Sequence, residues 1–177
     1  MDTSLDLRAE RLNLLLAPRN LMHSMVTTCI ARLALEGTVW VLDGGNCFAA
    51  RQVARTLRRQ GSALEDALER IRLARAFTCY QMVALLAETP PSPAPILVLE
   101  LLATFQDENV SLAERQRLLG QSLAYLRRLS SRAAVLVTAS LPLERQIGCL
   151  LQDLEEAADQ VWRFENPVVA TAQYRLF

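Results

Sequence analysis

The sequence predicts an α/β chain folded as a three-layer αβα sandwich on a mostly parallel sheet. Three observations carry that expectation. Apolar runs alternate with stretches of helical periodicity along the chain. Most of the runs are apolar at every position, the mark of strands covered on both faces. The intervals between runs are long enough for crossover helices, which parallel pairing requires. The 177 residues fit one domain, taken as 1–177, with no internal repeat and no composition break.

The elements follow in order. Residues 12–16 form a short first strand. A helix comes next, with Met22, Met25, Val26, Cys29 and Leu33 at i, i+3, i+4, i+7 and i+11 on one face. It ends at Glu36-Gly37. Residues 38–42 are a buried strand stopped by the turn Asp43-Gly44-Gly45-Asn46. The following helix turns Ala50, Val53, Ala54 and Leu57 inward and ends at Gly61. Capping boxes Ser62/Glu65, Thr78/Gln81 and Ser111/Glu114 open further helices, each hydroxyl accepting from a first-turn N–H. Between the first two boxes, residues 71–77 alternate like a strand. Pro90, Pro91, Pro93 and Pro95 stiffen a connector into the apolar strand 96–99. The helix after Ser111 is expected to bury Leu112, Leu119, Leu123 and Leu126. Residues 133–138 are a further buried strand, and Pro142 suits the first turn of a helix reaching about Ala158. Residues 161–164 and 170–177 are expected as two C-terminal strands, antiparallel across Asn166-Pro167.

Composition narrows the function classes. The 19 basic residues balance the 19 acidic ones, and every basic residue is arginine. Zero net charge argues against wholesale electrostatic capture of nucleic acid and leaves room only for a local patch. The apolar runs are too short for a membrane helix. Residues 1–6 lack the features of a signal peptide, so a cytoplasmic location is expected. Cys29, Cys47, Cys79 and Cys149 form no C-x-x-C pair and are expected as buried reduced thiols. With one histidine and no local ligand pair, no metal site is expected.

The segment Ala17-Pro18-Arg19-Asn20-Leu21-Met22-His23-Ser24 occupies the frame of a phosphate-binding loop, G-x-x-x-x-G-K-[ST]. Ala17 and Met22 stand where glycines belong and His23 where lysine belongs; only Ser24 is kept. Such a loop needs glycines so that backbone N–H groups can approach phosphate, and a lysine to reach the β- and γ-phosphates. A methionine side chain blocks that approach, and an imidazole is too short and too weakly charged at neutral pH to replace lysine.

Several segments, in chain order, resemble the core ATPase domain of the RecA/RadA recombinases, a P-loop NTPase fold. Residues 39–48, VWVLDGGNCF, resemble the family's second core strand and its acidic turn. Residues 68–78, LERIRLARAFT, resemble the passage that ends in A-R-A-F, and Arg75-Ala76-Phe77-Thr78 is the sharpest element. Residues 96–105, ILVLELLATF, are similar to the Walker B strand, and residues 111–129 to the helix after the first DNA-binding loop. The resemblance implies that Glu100 stands in for the Walker B aspartate. It also implies that Gly45 holds the place of the water-activating glutamate, and Ala139-Ser140 that of the polar sensor. With the loop frame, four parts of a phosphoryl-transfer apparatus are altered together. Hydrolysis needs their combined positioning and charge stabilisation, so no ATPase activity and no cofactor are expected.

A vestigial nucleotide site is therefore drawn from Arg19, Asn20, His23, Ser24, Asp43 and Glu100. Asp43 and Glu100 end apolar strands, where open α/β sheets bind ligands. The favoured alternative for both is helix capping or pairing with arginine. Arg51, Arg55, Arg58 and Arg59 lie side by side on one helix. They form either a solvated face or, with Arg145, a DNA or partner contact. Arg127, Arg128 and Arg132 sit near a helix end, where the dipole favours cations. The loops that contact single-stranded DNA in the recombinases correspond to residues 106–110, acidic here, and 140–154, where Arg145 is the only arginine.

The expected function is a non-catalytic accessory or regulator of recombination and repair that binds another protein, such as a recombinase. DNA contact is the weaker expectation, and a dimer is left open. The alternatives are a cell-division inhibitor of the SulA type and a divergent nucleotide-binding ATPase using Arg19 and Glu100.

Overall fold

The computed structural model describes residues 5, 7–61, 64–141 and 147–165. The chain runs β1 (Arg11–Pro18), α1 (Arg19–Glu36), β2 (Val39–Asp43), α2 (Ala50–Arg59), α3 (Leu64–Glu69), β3 (Ile71–Arg75) and α4 (Cys79–Glu88). It continues through β4 (Ile96–Leu99), a 3-10 turn (Leu101–Phe105), α5 (Leu112–Ser130), β5 (Ala134–Leu141), α6 (Gly148–Ala157) and β6 (Gln160–Arg163). The six strands form one sheet in the order β3-β2-β4-β5-β1-β6, and every pairing is parallel.

Side-chain alternation along buried strands divides the core into two layers. Leu12, Leu14, Leu16, Ile96, Val98, Val135 and Val137 face α4, α5 and α6. Leu15, Ala17, Val39, Val41, Leu97, Leu99 and Leu136 face α1, α2 and α3. Strands apolar on both faces, with helices on both sides, are what a doubly covered parallel sheet requires. The α/β sandwich expected from the sequence is the fold.

The strand expected at 161–164 is present in the sheet. It is the edge strand β6, parallel to β1 in the register Leu14↔Val161 and Leu15↔Trp162. The crossover helix α6 brings it back in the same direction, and the partner expected at 170–177 lies outside the described residues. Two expectations need correction. Leu112 is exposed at 43 %, while Arg115 and Leu118 turn inward with Leu119 and Leu126, because α5 starts one residue after Ser111 and its buried stripe begins at its fourth position. Cys29 and Cys79 are buried as expected, but Cys47 and Cys149 are only half-buried.

The caps partly match. Thr78 Oγ1 accepts from Gln81 N at 3.2 Å, and Gln81 Oε1 reaches back to Phe77 N at 2.8 Å. Ser111 Oγ accepts from Glu114 N at 3.2 Å, but the Glu114 carboxylate turns to Arg117 at 2.7 and 2.8 Å. Ser62, Pro142 and Asn166-Pro167 lie outside the described residues.

Candidate functional site

A parallel sheet brings the carboxyl ends of all its strands to one edge, where ligands bind in such folds. Here β1 and β5 end together, with Ala17 opposite Ser140 and Pro18 opposite Leu141, and β4 ends beside them a little earlier, with Val98 opposite Val137. Pro18, at φ −57° and ψ 145°, is the last residue of β1, and Arg19 is the first of α1. No loop separates strand from helix. Residues 19–24 of the phosphate-loop frame are wound into the first turns of α1, so the N–H groups of His23 and Ser24 fall where helical i−4 carbonyls take them. Met22 is buried in the layer beneath.

Glu100 follows β4 in the left-handed region, at φ 51° and ψ 49°. That conformation costs a non-glycine residue about 1–3 kcal/mol and persists only where surroundings over-determine it. The surroundings do so here. The Glu100 N–H donates to Thr138 Oγ1 at 2.9 Å. Its carboxylate accepts from Ser140 N at 3.0 Å and from Ser140 Oγ at 2.7 Å. Its stem lies on Gly45, where a Cβ would come within 2.6 Å of Glu100 Cβ and 2.8 Å of Cγ. Glycine at 45 and glutamate at 100 are therefore coupled: the bent side chain fills the space that any side chain at 45 would need.

Asp43 is fully buried. One of its oxygens accepts from Cys47 N at 3.0 Å and from Cys47 Sγ at 3.5 Å. The other accepts from Phe48 N at 3.0 Å and faces Arg75 Nε at 3.5 Å. Asp43 thus caps the turn from β2 into α2 and pairs with an arginine. Burial, with the charges of Asp43 and Glu100 added, pushes the Cys47 thiol up to about 12, so it stays protonated and acts as a donor.

The structure divides the residues proposed for the nucleotide site. Arg19, His23 and Glu100 line a cavity of about 40 Å³ under α1, room for a few waters. Arg19 and Glu100 also line an open crevice of about 290 Å³ with Gly45, Gln106 and Ser140. Asn20 and Ser24 face the other way, into a groove of about 370 Å³ between α1 and α2, with His23 at the boundary. Asp43 lines none of the three. Arg55 and Arg59 line the groove, and Arg51 and Arg58 stand exposed beside it. Arg145 lies outside the described residues. Among the described residues no cluster of histidine, cysteine, aspartate or glutamate is placed to hold a metal ion, and no helix is long and apolar enough to cross a membrane.

The family model Rad51 matches residues 18–148, most of the chain. The chain belongs to the Rad51 family. The match opens at the β1–α1 junction and runs to the first residue of α6. It covers the strand ends that carry Asp43, Glu100 and Ser140. The match agrees with the RecA-like core seen in the fold and places the chain in a family associated with recombination and repair.

Sequence reasoning overlooked Thr138 and the partnership of Gly45 with Glu100. A threonine after an apolar run inside a buried strand is a readable signal, since its buried hydroxyl must find a partner. The Gly45–Glu100 contact joins residues far apart in sequence, and nothing local announces it.

Proposed function

We propose that this Rad51-family chain has lost nucleotide hydrolysis and acts by binding another protein, as an accessory or regulator of recombination and repair. The direct passage from β1 into α1 carries this reading. A triphosphate cradle needs an open loop of backbone donors and a cation that reaches the β- and γ-phosphates. At this junction the chain offers helix instead of loop, Met22 inside the layer and no lysine. The Glu100 carboxylate, which would have to hold water on a divalent cation, is already engaged by Ser140. The site does not fit a hydrolysable triphosphate with its metal.

Two measurements test this. Phosphate release from magnesium-ATP by the purified chain is expected to stay at the blank. Release that disappears in Glu100→Gln would refute the loss of hydrolysis. Affinity capture with the tagged chain from native lysate, read by mass spectrometry, is expected to return a recombinase or repair factor. Capture of the division tubulin homologue instead would favour a SulA-type role.

A second reading has its own observation. The crevice of about 290 Å³ that brings Arg19 to Glu100 approaches the size of a small-ligand pocket. Nucleotide binding without turnover at that crevice predicts a calorimetric signal with ATP that Arg19→Ala removes. Affinity weaker than about 1 mM leaves the reading without support.

A further inference from the structure

The groove between α1 and α2 belongs neither to the cavity nor to the crevice at the strand ends. It is lined by two guanidiniums, Arg55 and Arg59, by the imidazole of His23, by hydroxyls including Ser24 and Thr56, and by the amide of Gln52. No carboxylate lines it, in a chain with as many acidic as basic residues. None of the guanidiniums of Arg51, Arg55, Arg58 and Arg59 has a hydrogen-bond or ion-pair partner among the described residues. The helix dipole accounts for cations in the last turn of α2, at Arg58 and Arg59, but not for Arg51 and Arg55 before it.

We infer that this groove binds the phosphate backbone of duplex nucleic acid, without reading sequence. Guanidiniums backed by hydroxyl and amide donors are the groups that hold phosphate oxygens. Arg51 to Arg59 extends about 12 Å along the helix, against one phosphate per roughly 3.4 Å of a duplex strand, so the strip meets several phosphates rather than one anion. No phenylalanine, tyrosine or tryptophan lines the groove. Single strands are commonly held by stacking bases on aromatic platforms, so the groove suits a duplex, whose bases are already stacked. None of the residues lining the groove belongs to 106–110 or 140–154, and the inference does not depend on whether hydrolysis is lost.

The test is fluorescence anisotropy of a short labelled duplex of mixed sequence, titrated with the full chain over a series of salt concentrations. The wild-type chain is expected to bind with a log–log salt slope of about −3 to −4, one contact for each of the four arginines. The double variant Arg55→Gln/Arg59→Gln is expected to weaken binding by about tenfold or more and to flatten the slope by about 2. Arg117→Gln, which alters an arginine already paired on α5, is expected to leave binding unchanged, and thermal melts report that all three proteins are folded. Absence of duplex binding at low salt overturns the inference, as does equal affinity in the double variant. Tighter binding of the matched single strand, or displacement of the duplex by inorganic phosphate or ATP at low concentration, also overturns it. Failure of the partner capture described above would leave this result unaffected.

Discussion

Helices α5 and α2 carry four arginines each, and the two sets do different work. On α5 all four are engaged. Arg115 is buried and donates to the Phe105 carbonyl at 3.1 Å. Arg117 pairs with Glu114 at 2.7 Å, and Arg127 with Asp159 at 2.8 Å. Arg128 lies over the Tyr125 ring and donates to the carbonyls of Leu86, Ala87 and Thr89 at the end of α4. On α2 none of the four guanidiniums has a hydrogen-bond or ion-pair partner among the described residues. One set is spent on the fold, joining helices whose ends would otherwise leave bare carbonyls. The other leaves its charge to the solvent side. Counting arginines cannot separate these cases; what each guanidinium touches does.

The largest expected effect of breaking this contrast is at Arg115. Arg115→Ala leaves a cavity and strands the Phe105 carbonyl, and should cost about 3 kcal/mol in urea unfolding. Arg115→Met should fall within about 1 kcal/mol of the parent, because it keeps the volume and removes a buried cation whose Nε has no partner. If both variants are equally destabilised, the charge rather than the packing holds the site. Arg128→Ala comes next. It uncovers three carbonyls at the end of α4 and should cost about 1.5 kcal/mol at unchanged m-value, seen as a lower urea midpoint.

How far these roles were legible follows the range of the interactions. Strands and helices were readable because their signals are local: apolar runs, periodicity, and the hydroxyls of Thr78 and Ser111. The position of Glu100 at the end of β4 was legible for the same reason. Its bent conformation was not, because it depends on Thr138 and Ser140 one strand over and on Gly45 beneath. Asp43 was readable as a strand-end carboxylate with two alternatives, and only the turn that folds Cys47 and Phe48 back onto it decides for capping. Arg128 was expected to answer the dipole of its own helix, whereas it caps the neighbouring one. The register of packed helices is a tertiary fact that the spacing along either helix does not contain. Leu112 was misplaced for the same reason: its spacing fits the apolar stripe, yet α5 meets the sheet starting one turn later.

A smaller effect sharpens the α5 side. Asp159 joins three elements. One oxygen receives Arg127, and the other receives the Leu12 N–H of β1 at 2.7 Å. The hydrogen bond from Arg127, then that from Leu12, hold its carboxyl below the usual aspartate range. A lowered folded value means that its stabilisation is present above about pH 4 and is lost as pH falls through that lower value. Asp159→Asn should therefore cost about 1 kcal/mol or less at neutral pH, discounted for the exposure of the pair. The gap to the parent in urea midpoint should close as the solution is acidified below about pH 4. A gap that persists in acid would assign the effect to shape rather than charge.

The smallest stability effect is expected where the contrast matters most. Arg55→Gln/Arg59→Gln removes two cations whose side chains hold no hydrogen bond or ion pair with the described residues, so the urea midpoint should move by no more than about 0.5 kcal/mol in either direction. A small gain is physically reasonable, since the neighbours on α2 repel one another and two members of the strip are gone. A loss comparable to that of Arg128→Ala would show that α2 ties its arginines into the fold as α5 does, and the free strip would then be a misreading. Near-neutral stability combined with loss of duplex binding has only one explanation in these terms. The two guanidiniums are kept available for an anion outside the chain, and the groove they line with α1 is where it would sit.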